Sequence, residues 1–332
     1  KRTLSQWVKF ADSLRLRLAI RVSMSAPDLA RAEVAKAMDA TAGGVLESAD
    51  ETVAVSTESG YKNPLGTVNE GWGEVFMGAT MESVLVGYND PRLIKYYSKA
   101  EGGDIKDEKG NLIIAERNKI AGTYKGVPQG TGVTVKDENR YRLHSKSTIT
   151  KQTDAILMTA AEVWFLRAEA ALRGFTSENV KDCYEKGITV SCQQWGVNVG
   201  DYLTSDATPS DYVDAFEAKY DVKALIKVTP KWDGGASPEE QLERILTQKW
   251  IACYPEGYEA WTEQRRTGYP QLFKVFVNNS GGAIDTDIRI RRLPYPSDIQ
   301  KNNPTQYSAL KEALGGEDNG GTRLWWDTGR NF

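Results

Sequence analysis

The run Ser237–Pro270, SPEEQLERILTQKWIACYPEGYEAWTEQRRTGYP, constrains the fold most, because it dictates two helices meeting at a tight corner. Ser237 suits an N-cap, Pro238 suits the first turn, and Glu240 completes a capping box. Leu242, Ile245, Leu246, Lys249 and Cys253 recur at helical spacing, which predicts one inward face. Pro255 and Gly257 break that helix. Tyr258 to Arg266 forms a short second one, with Gly268 at its C-terminal cap and Pro270 just beyond.

Other segments extend a mostly helical reading. Leu4 to Ser23 is a helix capped by Thr3 or Ser5, with Trp7, Phe10, Leu14 and Leu18 on one stripe. Pro27 starts a second helix through Ala40 that ends at Gly43–Gly44, and the two make a hairpin. Asp154 to Arg173 is alanine-rich, which lets a neighbour approach closely. Val180, Cys183, Tyr184, Gly187, Ile188, Ser191 and Trp195 form the facing stripe, after a break at Gly174. A pair of this kind over roughly forty residues resembles one TPR unit. Asp211 to Tyr220 reads as a further short helix.

Between Val45 and Thr150 the texture changes to glycine, asparagine and turn residues. Asp107 to Asn111 reads as a hairpin turn before β-prone Leu112 to Ala115, and Thr131 to Lys146 has no helical period. Structured loops on a rigid scaffold are where binding residues concentrate. The tail from Ile284 is expected to wrap over the helices and end in Trp325–Trp326.

Composition narrows the function classes. The net charge of −3 and the lack of a basic block give nucleic acid no electrostatic purchase. The apolar runs are too short to span a bilayer. Three cysteines make no disulfide framework; Cys183 and Cys192 fall about 13 Å apart along one helix, and Cys253 sits on an apolar helix face, so all three read as buried free thiols.

The lone histidine, His144, lies in a polar run with no nucleophile elbow, so it is assigned a structural or surface role. One histidine also excludes histidine-built metal sites. Asp104, Asp107 and Asn111 lack the spacing of a calcium loop. The 45 acidic residues fall mostly on helix faces and in caps, and spacing alone names no catalytic pair. Asp90–Pro91 reads as a turn with Arg92 pinned by a carboxylate, and Arg265 and Arg266 as arginines that dock a corner.

Aromatic residues supply the binding candidates. Trp7, Trp164, Trp195, Trp250 and Trp261 fall in helices and read as packing residues, whereas Trp72 and Trp232 fall in loops. Sugar rings stack their C–H faces on flat aromatics while polar side chains bond their hydroxyls. Trp72, between two glycines and beside Asn69, Glu70 and Glu74, fits that need best. Tyr61, Lys62 and Asn63 precede it in the same stretch. Trp232, between Lys231 and Asp233, is the second candidate.

The run QKWIA, EAW, an acidic residue and RRTGYP resembles the signature of the SusD/RagB outer-membrane lipoproteins of the Bacteroidetes. WVKFADSLRLRLAIRVS, GYNDPRL, AEVWFLRAEAALRG, RIRRLPYP and LWWD match in the family's order almost to the last residue. The resemblance implies a mostly α fold, with TPR-like helix pairs packed against a loop-rich half with a few short strands. It implies a single domain over 1–332: a helical scaffold at 1–44 and 154–270, a binding region at 45–150 and a wrapping tail at 284–332. The chain would be the C-terminal portion of a longer protein, whose signal peptide, lipidated cysteine and first helices lie in a missing N-terminal part.

By the same resemblance the protein is no enzyme; no cofactor is expected, and the residues name no metal site. It sits lipid-anchored on the extracellular face of the outer membrane, over a SusC-like TonB-dependent transporter. There it binds an oligosaccharide, a polysaccharide or another oligomeric nutrient. A peptide-binding member of the family, an all-α glycoside hydrolase and a plain TPR-like adaptor are the alternatives.

Overall fold

The structure, a computed structural model, describes residues 3–132 and 139–332; residues 133–138, part of the stretch without helical period, lie outside it. It is mostly helical. Thr3 caps α1 (Leu4–Arg21) through a capping box with Gln6, and α2 (Pro27–Ala37) packs back on it as a hairpin. α2 stops three residues short of Ala40.

The buried face of α1 is Ser13, Leu16, Ala19 and Ile20, about 150° from the expected stripe. Trp7 and Leu18 are each 56% exposed instead. Arg17 and Arg21 lie to one side of the buried face, where they meet buried glutamates.

The loop-rich stretch holds short elements: β1 (Val53–Val55), α3 (Pro64–Gly66), α4 (Ala79–Gly87), α5 (Leu93–Tyr96) and the hairpin β2 (Ile105–Lys106)–β3 (Leu112–Ile114). The hairpin pairs Ile105 with Ile114 and Lys106 with Leu112. Asp107 closes its turn by accepting from the backbone N–H groups of Lys109 and Asn111. β4 (Ala155–Met158) pairs antiparallel with β1. The helix expected from Asp154 therefore begins only after Thr159, whose hydroxyl caps α6 (Ala160–Leu172) by accepting from Glu162 N. No helix forms over 211–217, because Asp214 accepts from the N–H groups of Phe216 and Glu217 and holds a turn.

α6 is buried on nearly all sides and touches α1, α7 (Val180–Gln194) and α8 (Pro238–Ala252). Its closest approach to α7 is at Gly187, where an added Cβ would lie 2.8 Å from the Phe165 ring. The TPR-like pair thus depends on a missing side chain. α8 starts with the Ser237–Glu240 capping box, and α9 (Gly257–Thr267) ends at Gly268 in the left-handed region. In the tail, α10 (Ser297–Asn302) and α11 (Pro304–Leu314) add helices that no sequence expectation covered. Asn303, Pro304 and Gly315 are the cap signals that mark the second one.

Two buried polar networks lock these elements together. Around Lys249 on α8, Glu259 lies at 3.1 Å, Glu263 at 3.3 Å and Glu162 at 3.9 Å. Arg17 bonds Glu162 through two nitrogens, at 2.7 and 2.6 Å, and Arg21 bonds Glu259 and Glu263. Arg266 grips Glu169 at 2.8 and 2.7 Å and Glu263 at 2.6 Å. Burial opposes each charge, but the Arg266, Lys249 and Arg21 cations hold the Glu263 carboxyl well below its usual range.

The second network centres on Arg92, which is 0% exposed. It donates to both oxygens of Asp90, to Ser191 Oγ on α7 and to Gln248 Oε1 on α8. Tyr202 OH completes it by donating to Asp90 Oδ2 at 2.7 Å. This is the pinning carboxylate expected for Asp90–Arg92. Arg266 likewise docks the last turn of α9 onto α6.

Removing Lys249 would leave its glutamates facing one another without their central cation. Lys249→Met is expected to cost about 3–5 kcal/mol, the range for breaking a buried ion pair on one side. Urea unfolding would show this as a large fall in midpoint, and an unchanged midpoint would contradict the role given to the network.

Candidate functional site

The segment 57–75 is riveted to 147–154 by its own polar side chains. Asn63 caps α3 by accepting from Leu65 N, and its Nδ2 donates to Thr153 O at 3.0 Å. Asn69 Nδ2 donates to the carbonyls of Ser147 and Ile149 at 2.7 and 2.8 Å. Glu70 accepts from Lys151 N at 2.7 Å. Gly66 is the contact point: a Cβ there would fall 2.1 Å from the Thr150 carbonyl carbon. Asn63 and Glu70, expected near a ligand, thus bond backbone, as does the amide nitrogen of Asn69, whose buried Oδ1 has no partner among the described residues.

Two rings stand out from this clamped segment. Trp72 is 58% exposed at the end of a π-helical turn, followed by left-handed Gly73, and Tyr61 is 40% exposed. Trp232 lies elsewhere. It is half-buried against Tyr184 of α7, ring centroids 5.1 Å apart, and closes the scaffold over the Tyr184–Pro230 bond. The structure brings Tyr61, Asn63, Asn69, Glu70 and Trp72 into one segment, and Trp232 belongs to a different surface.

The same segment walls a surface channel along α9. A cavity of about 570 Å³ lies between Asn63, Pro64, Leu65, Ile156, Tyr258 and Trp261. It shares Leu65, Pro255, Glu256 and Gly257 with a neck of about 220 Å³, which also includes Val75. The neck shares Met81, Tyr97, Trp250 and Ala260 with a larger cavity of about 830 Å³, closed by Phe273, Val275 and Val277 and rimmed by Asn278, Ser280, Asp285 and Arg289. Aromatic and aliphatic walls with a polar rim suit the two-faced chemistry of a sugar chain.

Trp250 and Trp261, expected as packing residues, line this channel, and Tyr258 is 77% exposed beside it. The Tyr258–Trp261 spacing of one helical turn was the available signal. The floor carries one perturbed acid. Burial, reinforced by Glu162 and then Glu259 and opposed by Arg17 at 3.5 Å, pushes the Glu256 carboxyl up to about 7.

His144 is buried, with its ring against Tyr141 and Phe216. Burial, with Lys125 next in weight, drops its pKa to about 3, so the imidazole is neutral and structural. Among the described residues no group of His, Cys, Asp or Glu could hold a metal, and no helix is long and apolar enough to cross a membrane. Cys183, Cys192 and Cys253 are free and buried.

Residues 1–327 match the SusD-like family, described as the SusD and RagB outer membrane lipoproteins. The chain belongs to the SusD-like family. It is similar to a SusD homologue from Bacteroides vulgatus at 52% identity and TM-score 0.89, over 99% of this chain and 64% of that one. A chitin-binding SusD homologue from Flavobacterium johnsoniae is 37% identical with TM-score 0.88, over 99% and 65%. A SusD homologue from Bacteroides thetaiotaomicron is 34% identical with TM-score 0.85, over 99% and 67%. This SusD-like chain therefore spans about two thirds of the length of the solved structures it matches. No curated protein matches it. SusD-like proteins are in general non-catalytic binding proteins of the outer membrane.

Two consequences of this geometry are measurable. Gly66→Ala should unseat the segment 57–73 from Thr150, seen as faster proteolytic cleavage there than in the parent protein. The depressed pKa of His144 sets a pH slope of known sign. Below the unfolded pKa near 6.5 only the unfolded chain takes up this proton, so stability falls as pH drops toward 3 and is unaffected above 6.5. The slope is about 1.4 kcal/mol per pH unit. His144→Phe should thus lose about 2 kcal/mol less than the parent between pH 7.5 and pH 5 in urea unfolding. Equal losses would show that the ring is charged in the fold.

Proposed function

We propose that this SusD-like chain captures a glycan, or another oligomeric nutrient, at the cell surface and passes it to a SusC-like TonB-dependent transporter. The protein is held on the extracellular face of the outer membrane by a lipid anchor in an N-terminal part that precedes the described residues. It binds and does not cleave. The observation that carries the reading is the aromatic channel along α9, bordered by a segment that presents Trp72 and Tyr61 to solvent. Family membership and the chitin-binding relative support the same class of ligand.

Aromatic walls favour a sugar chain over a peptide. A peptide groove would offer rows of free backbone groups, whereas here the carbonyls of Ser147, Ile149 and Thr153 are taken by Asn63 and Asn69. A glycoside hydrolase would bring two carboxylates to one cleft at about 5–10 Å. Glu256 lines the neck and Asp285 the far cavity, and neither has a carboxylate partner lining the same cavity.

Affinity electrophoresis against a polysaccharide panel tests the reading, with Trp72→Ala, Tyr258→Ala and Trp232→Ala as variants. One retarding polysaccharide is expected. Loss of a stacking ring should weaken binding about 5- to 10-fold at Trp72 or Tyr258, and Trp232→Ala should lower stability without weakening binding. Absence of retardation by every glycan would overturn the glycan reading.

A further inference from the structure

The far cavity of the channel opens, through Gln264, Leu272, Thr286 and Arg289, into a second pocket of about 510 Å³ beneath the tail. Six cations line it: Arg265, Arg266, Lys274, Arg289, Arg291 and Arg323. A single carboxylate, Asp287, lines it with them. Arg266 is neutralised behind the wall by Glu169 and Glu263, and Arg291 and Arg323 share Asp327.

The other three cations have no carboxylate hydrogen bond among the described residues. Arg265 donates to Arg291 O and to Thr262 Oγ1, and it is held between the rings of Trp261 and Trp326 at 3.7 and 5.1 Å. It is 7% exposed, and its Nε has no partner. Arg289 donates to Gln129 Oε1 and to Phe273 O, from a left-handed backbone at φ 69°. Among the described residues Lys274 has the Phe276 ring, at 5.2 Å, as its partner.

The electrostatics agree with this geometry. Burial, with Arg21 and Arg291 adding to it and Asp327 opposing, lowers the Arg265 pKa to about 10, and burial outweighs Asp287 at Arg289 and Asp327 at Arg291 to lower those as well. Each of these guanidinium groups would be stabilised by an incoming anion. A partly enclosed cluster in which cations outnumber the carboxylates attracts oxyanions by charge-assisted hydrogen bonds.

We propose that this pocket is an anion subsite of the channel, and that the nutrient is an acidic glycan whose carboxylate or sulfate enters it. The inference rests on the glycan reading above and narrows it. The cavity is the size of one or two sugar rings, and Gln264, Gln271 and Thr286 supply polar groups for hydroxyls beside the cations. The charge is placed where a chain lying in the channel can reach it. Neutral polysaccharides satisfy the aromatic walls only.

Calorimetric titration at low salt distinguishes the possibilities, using oligogalacturonate, a sulfated heparin oligosaccharide, a neutral chito-oligosaccharide of equal length and inorganic sulfate. One or both acidic oligomers should bind at least ten-fold tighter than the neutral one, and the advantage should shrink as salt rises. The ratio of acidic to neutral affinity should collapse toward one in the Lys274→Gln/Arg289→Gln double variant. Which oligomer wins assigns the anion as carboxylate or sulfate. Equal binding of acidic and neutral oligomers, or an advantage that survives the double variant, overturns the subsite. Sulfate binding that the double variant abolishes, with no glycan binding at all, would keep the anion pocket and overturn the glycan reading. Silence toward all four probes overturns both.

Discussion

Four helices meet around the ammonium of Lys249, and charge fixes their mutual positions as much as apolar burial does. Each buried ion costs several kcal/mol to take out of water, and only close partners recover that cost. Here Glu162 on α6, Glu259 and Glu263 on α9, and Arg17 and Arg21 on α1 must all reach their partners at once. Sliding any one helix by an ångström or two would strand a charge in the interior. The network therefore selects a single arrangement, whereas apolar side chains of similar volume would tolerate several.

With α9 held in this way, its outward sides define what the surface offers. Its first turns, at Gly257, Tyr258, Ala260 and Trp261, face the aromatic channel. Its last turn, from Gln264 to Thr267, faces the basic pocket, and Gln264 belongs to both. The tail completes the arrangement. Arg291 binds Asp327, Asn331 reaches Glu239 at the start of α8, and Arg265 is sandwiched by Trp261 and Trp326. The loop-rich half is attached with similar economy, through the Arg92 network and the side chains of Asn63, Asn69 and Glu70. A surface built mainly from loops is thereby tied to the scaffold, with Trp72 exposed on it.

Much of the helical scaffold was legible. The Ser237–Glu240 box, the break at Pro255–Gly257, the cap at Gly268 and the hairpin turn at Asp107 all depend on neighbours within a few residues. The pinning of Arg92 by Asp90 was equally local. The buried face of α1 differs from the expected stripe, and the partners of its arginines are glutamates more than 140 residues away in sequence. The helix expected at 211–220 yielded to the Asp214 turn, and the start of α6 yielded to pairing between β4 and β1. α11 lies in the tail that was expected only to wrap over the helices, and it has good caps but none of its residues is buried.

The candidate site divides in the same way. Sequence by itself determined which residues are turns, caps and helix formers, and it found Trp72 as an indole that its glycine neighbours leave uncovered. It also carried the family signature, since that signature is a string of local helix and corner signals. Only the tertiary structure decided what each polar group does. Asn63 and Asn69 became rivets, Trp232 became packing, and Trp261, Tyr258 and Arg289 became walls of cavities. The physical reason is that a hydrogen bond or ion pair is allotted by distance in space. Residues 63 and 153, or 265 and 291, acquire that distance only once the chain has folded.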